Sequence, residues 1–187
     1  MNLGIVLYHQ VHELELISLY TPLALAQQLN GDALRVYTLA KGRYAVVTSG
    51  GLIITPHWAS ISAPEPDVLV VPGGANPKVA SRDKVLRRYL EVKLERLRAI
   101  ASIGNGAVIL GELGLLRNCE VAAWPGAEVL RDYEIGALIE KPVVANASGA
   151  WSAGAGIAGA SLALALLRTL IGQELAAEVA DRLTLTV

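Results

Sequence analysis

Apolar runs at residues 3–8 and 68–71 carry no polar alternation, and that most narrows what the chain can fold into. A strand with one face in water alternates apolar and polar residues; a strand covered on both faces does not. Each run is followed by a turn and then by helical spacing. After residue 8, Leu14, Leu16, Ile17, Tyr20, Leu23, Leu25 and Ala26 recur on a helical period, and Asn30-Gly31 ends it. Residues 34–39 and 99–103 read as further strands, and 85–97 and 107–113 as helices. Ser49-Gly50-Gly51 joins a hairpin of residues 45–48 and 52–55. Residues 121–123 read as a short strand stopped by Trp124-Pro125. Val143-Val144 reads as a strand, followed by a glycine-rich turn, a helix from Ile157 and a last helix over 174–183. This alternation predicts an α/β fold: a three-layer sandwich with a mainly parallel, flavodoxin-like sheet and helices on both faces. With 187 residues and no linker or repeat, one domain over 1–187 is expected.

Hydrophobic residues make up 53% of the chain and charged residues 18%, so apolar surface must be hidden in a deep core, an interface or a membrane. The membrane is the weakest of the three. No charge lies between Lys141 and Arg168, but Pro142 and Gly149, Gly154, Gly156 and Gly159 break the stretch, leaving only 157–167 as continuous helix. Net charge is -1, and Arg87, Arg88, Lys93, Arg96 and Arg98 fit a solvated helix face rather than a nucleic-acid footprint. The N-terminal MNLGIVLY has no basic region and no cleavage site, so it reads as a strand rather than a signal peptide. A cytoplasmic protein with neither membrane nor nucleic acid as partner is expected.

In an open α/β sheet, ligands gather beyond the carboxyl ends of the strands. Four segments end there on this reading: residues 8–15, 71–74, 101–107 and 121–125. They hold Glu13, Glu15, His9, His12, Gly73, Gly74, Gly104, Asn105 and Trp124. A His-Glu set could hold a metal, but His9, His12 and the two glutamates share one turn without a convergent third element, so neither metal nor cofactor is expected. The single cysteine, Cys119, precedes a strand, at the opposite end from its carboxyl terminus, and reads as a packing residue. Trp151 fits the core or an interface.

The stretch Asp67-Val68-Leu69-Val70-Val71-Pro72-Gly73-Gly74, the turn Ala101-Ser102-Ile103-Gly104-Asn105-Gly106-Ala107, and Gly114-Leu115-Leu116 together resemble the ThiJ/PfpI superfamily over nearly the whole chain. That group includes the parkinsonism-associated deglycase and the isonitrile hydratases. The resemblance implies a homodimer with the first helix near its interface. It also implies a pocket of Glu15, Gly73, Gly74, Gly104, Asn105 and Trp124 that could take a small molecule. It puts a catalytic acid at Glu15, a nucleophilic cysteine where Gly104 stands, and a histidine where Trp124 stands. Glycine offers no nucleophile, and an indole N–H only donates. Two readings follow. One is a divergent, non-enzymatic member that binds a small molecule in stress response or regulation. The other is a hydratase or glyoxalase working with Glu15 and water in place of a thiolate. Exchanging cysteine for glycine and histidine for tryptophan also shifts volume, so Trp124 is expected to lean over Gly104 or to wall a pocket beside it, with Glu15 as the lone charge.

Overall fold

The computed structural model describes residues 1–185. A seven-stranded sheet runs through its centre. Its strands are β1 (Asn2–Val6), β2 (Arg35–Ala40), β5 (Trp58–Ala59), β6 (Val68–Val71), β7 (Ala99–Ile103), β10 (Val143–Ala145) and β11 (Ala150–Ala153). Their order is β10-β11-β7-β6-β1-β2-β5, and only β10 is antiparallel to its neighbour. In register, Leu3 stands beside Val36 on one side and Val68 on the other, and Val70 beside Ala101. Leu3, Ile5, Val68 to Val71 and Ile103 are wholly buried, as strands covered on both faces require.

The helices follow the expected alternation. α1 (Glu13–Asn30) starts with two acidic residues in its first turn and stops where Gly31 takes φ +55°. α1, α5 (Ala158–Leu170) and α6 (Gln173–Arg182) pack into one layer. α4 (Gly106–Glu112) lies against β6 and β7. α3 (Lys84–Lys93) is capped by Asp83, whose carboxylate accepts the Val85 and Leu86 N–H groups. Among the described residues no helix is long and apolar enough to cross a membrane.

Four details differ from the sequence reading. The glycine-rich stretch after Val144 contains β11, paired with β7 and β10, instead of being turn alone. β8 (Glu120–Ala122) is outside the central sheet: it pairs in parallel with β9 (Ala137–Ile139) as a separate ribbon. Trp124 therefore follows an outlying strand, tied to the main sheet by the Ser152 hydroxyl, which accepts the Ala122 N–H. A four-residue helix, α2 (Pro77–Ala80), stands ahead of α3, and α3 ends at Lys93 in a short 3-10 turn, Leu94–Arg96. The hairpin over residues 45–55 is present as β3 (Val46–Val47) and β4 (Ile53–Ile54).

Candidate functional site

The carboxyl ends of β1, β6 and β7 bring Glu15, Gly73, Gly104 and Asn105 into one cluster. The turn after β1 places two acids at the head of α1, and they part company. Glu13 turns outward to the hairpin, where its carboxylate accepts the Ser49 hydroxyl at 2.9 Å and the Gly50 N–H at 3.0 Å. Its own backbone N–H, then that of Gly50 and the Ser49 hydroxyl, push its pKa down to about 2. Glu15 turns inward and is 3% exposed.

Glu15 Oε2 accepts the Gly73 N–H at 2.6 Å. Its Oε1 lies 3.4 Å from His12 Nδ1 and accepts weakly from the Gly156 N–H at 3.4 Å. Burial raises the carboxyl above its ordinary value, while the Gly73 N–H, His12 and the Gly156 N–H pull it back. Nearby, the buried Tyr8 hydroxyl donates to the Pro72 carbonyl at 2.7 Å, and its own pKa is raised by burial and then by the Glu15 charge.

Gly104 forms the sharp turn between β7 and α4 with φ +50°. A Cβ built there would meet Glu15 Oε1 at 2.6 Å and Ala155 Cβ at 3.3 Å. The direction a side chain would take from 104 thus ends on the Glu15 carboxylate. The next residue completes the cluster: Asn105 Oδ1 accepts the Gly74 N–H at 2.8 Å and Nδ2 donates to the Gly74 carbonyl at 2.9 Å. The Gly73 and Gly74 N–H groups are therefore both occupied by side chains of the protein itself.

Trp124 is half-buried and is not among the nearest neighbours of a Cβ at Gly104. It walls a cleft of about 430 Å³ with Asn105, Val108 and Val129. Of the two arrangements open to it, this is the second, with one correction: Glu15 does not line that cleft, and its charged residue is Lys78. His9 is exposed and takes no part in the cluster. His57 staples the edge strand, where its Nδ1 accepts the Thr38 N–H at 2.9 Å. Trp151 packs in the core on β11. Cys119 is buried, its thiol 3.8 Å from the Leu115 carbonyl and 3.7 Å from Ser148 Oγ, just ahead of the amino end of β11. Among the described residues no three His, Cys, Asp or Glu side chains group as metal ligands.

Two participants had no sequence signal. From the turn before α5, Gly156 reaches Glu15, 141 residues away in the chain, and Ala155 reaches the space over Gly104. Only the folding of β11 beside β7 brings them there.

The arrangement is one strand-turn-helix with a left-handed residue at its apex, facing an inward glutamate, and the chain matches the DJ-1/PfpI family over residues 2–169. The chain belongs to the DJ-1/PfpI family. It is 27% identical to an isonitrile hydratase of Pseudomonas putida over 177 residues, which is 94% of this chain and 75% of that protein. It is 31% identical over 117 residues to the HTH-type transcriptional regulator GbdR of Pseudomonas aeruginosa, covering 62% of this chain and 31% of that one. In structure it resembles Drosophila melanogaster DJ-1beta with a TM-score of 0.87 at 20% identity, over all of this chain and 98% of that one. A family fold shared by an enzyme and a regulator does not decide between catalysis and binding.

Proposed function

We propose that this protein is a non-enzymatic member of its family that binds a small molecule in a stress-response or regulatory role, and that it works as a homodimer without nucleic acid as a partner. The observation that carries the reading is the state of the ancestral centre. Gly104 stands at the apex where the resemblance puts a nucleophile, and Glu15 and Asn105 hold the Gly73 and Gly74 N–H groups. With no nucleophilic side chain at residue 104 and the Gly73 and Gly74 donors taken, acyl or thiohemiacetal chemistry lacks its attacking group and that donor pair. Trp124, where the resemblance puts a histidine, adds no base. Cys119 is buried just ahead of the amino end of β11, the end of that strand opposite the elbow, and does not stand in. On this reading Glu15, Gly73, Gly74, Gly104 and Asn105 are a lock that fixes the β1 and β6 loops.

A second reading is favoured by one feature. Glu15 has a raised pKa beside His12, as a general acid would, and this suits a hydratase that activates water. One assay separates the two. Purified protein is incubated with an alkyl isonitrile and with methylglyoxal, and formamide formation or aldehyde loss is followed. No protein-dependent turnover is expected. Turnover that disappears in Glu15→Gln and survives Cys119→Ser would establish the hydratase reading instead.

A further inference from the structure

A second cleft, of about 360 Å³, lies outside the Glu15 cluster, at the carboxyl ends of β1 and β2. Leu7, Tyr8, Ala40 and Leu86 line its base, and all four are buried. Ala45, Val46 and Ala80 form its walls. Tyr44 stands at the mouth, 77% exposed. Its ring lies so close over Gly42 that any side chain at 42 would collide with it. α2 divides this cleft from the one beside Trp124, since Asn76 and Val79 line both. The Trp124 cleft is of similar size, but Val108 is the only buried residue in its lining.

We propose that the small molecule bound by this protein occupies the Tyr44 cleft. The compound is uncharged, with an apolar and largely aromatic body and one hydrogen-bonding head group. This rests on the binding-protein reading above and adds the place and the chemistry. The volume falls at the lower end of the range of roughly 300–1,000 Å³ typical of small-molecule sites, and the buried apolar base is what such sites share. Charge is excluded by what the rim has already spent. Lys41 Nζ and Asp83 Oδ2 pair with each other at 3.1 Å, and Asp83 Oδ1 accepts the Val85 and Leu86 N–H groups. A charged ligand would lose water over Leu7 and Leu86, and the remaining lining side chain able to carry charge, His9, is exposed at the rim and away from that base.

The head group has partners at the other end. Asn76 Nδ2 donates to Gln10 Oε1 at 2.7 Å. Among the described residues this leaves the Gln10 amide N–H and the Asn76 carbonyl oxygen without a protein partner, so the rim can both donate to and accept from a carbonyl or hydroxyl. The Tyr44 and Tyr8 rings supply aromatic faces for the body.

The probe is 6-propionyl-2-dimethylaminonaphthalene, an uncharged naphthalene with one carbonyl, whose emission moves to the blue in apolar surroundings. Saturable binding with a blue shift is expected. Ala45→Trp and Ala80→Leu, two independent fillings of the cleft, should each weaken it by about tenfold or more, with thermal melts unchanged. Val129→Trp, which narrows only the Trp124 cleft, should leave it unaltered. Binding lost in Val129→Trp and kept in both other variants overturns the location while the binding-protein reading stands. Absence of saturable binding to the unaltered protein overturns the location too. Isonitrile or methylglyoxal turnover in the assay above removes the binding-protein reading wherever the dye sits.

Discussion

Asn105 and Gly74 exchange two hydrogen bonds, both through the one side-chain amide, at 2.8 and 2.9 Å. The pair ties the turn after β7 to the turn after β6, across the cluster that would otherwise be open. Asn105→Ala leaves a partly buried N–H and a carbonyl without partners. The expected loss is about 1–3 kcal/mol in urea unfolding. Asn105→Asp keeps the acceptor but sets a carboxylate against the Gly74 carbonyl, so its loss should shrink on acidification, when the acid can donate again. Wild-type stability in Asn105→Ala would mean that the lock holds nothing.

Glu15 gives the fold a pH dependence whose direction is fixed. Burial, the largest cause, raises its carboxyl above the ordinary 4.5. The protonated form is then favoured in the folded state, so the contribution is complete below about pH 4.5 and is lost as pH rises through the raised value. Glu15→Gln removes that titration. The stability of Glu15→Gln relative to the parent should therefore grow as pH rises from about 4 to 7 in parallel urea titrations. A constant difference across that range would show that the carboxylate loses no solvation in the fold.

Leu14 and Ile17 are exposed on α1 at 54% and 47%, and Ile157 is 73% exposed at the start of α5. Leu14 and Ile17 are three apart on α1 and so share a helix face, and Leu14 Cδ2 comes within 3.6 Å of the position that a Cβ on Gly156, the neighbour of Ile157, would take. Apolar side chains grouped in this way are what an interface between two copies needs. A dimer is expected at micromolar concentration in sedimentation, and Ile17→Glu should shift it to monomer with its melting temperature little changed. A parent protein that sediments as a monomer at those concentrations contradicts the homodimer.

Much of this was legible in the sequence because the signals are local. The runs at 3–8 and 68–71 and the turn at Gly104 need only neighbouring residues to be read. The strand Ala150–Ala153 was not legible, since Ala-Trp-Ser-Ala has a single strong strand former and becomes a strand only by pairing with β7 and β10. β8 carries an ordinary strand signal, and nothing local says that it leaves the main sheet. Glu13 and Glu15 stand two apart, about 200° around a helix, so one must face in when the other faces out. Which one does so is settled by Ser49 and Gly50 on a distant hairpin. The lock on Gly74 was hidden for the same reason: Asn105 is an unremarkable turn residue until the β6 loop is beside it.

Gly104 tests whether the turn after β7 is tied to Glu15 or to Trp124. Its φ of +50° suits glycine, and an added Cβ would lie 2.6 Å from Glu15 Oε1. Gly104→Ala therefore meets two costs: about 1–2 kcal/mol for a left-handed backbone with a Cβ, and the displacement of a buried carboxylate from the Gly73 N–H. The second cost vanishes once the carboxylate is gone. Gly104→Ala and Glu15→Ala should then be non-additive in a double-mutant cycle, with the pair losing less stability than the two singles combined. Gly104→Ala and Trp124→Ala should add to within about 0.5 kcal/mol, because the indole stands in the neighbouring cleft instead of over the glycine. Coupling to Trp124 and none to Glu15 would reverse the assignment and place the indole above the elbow.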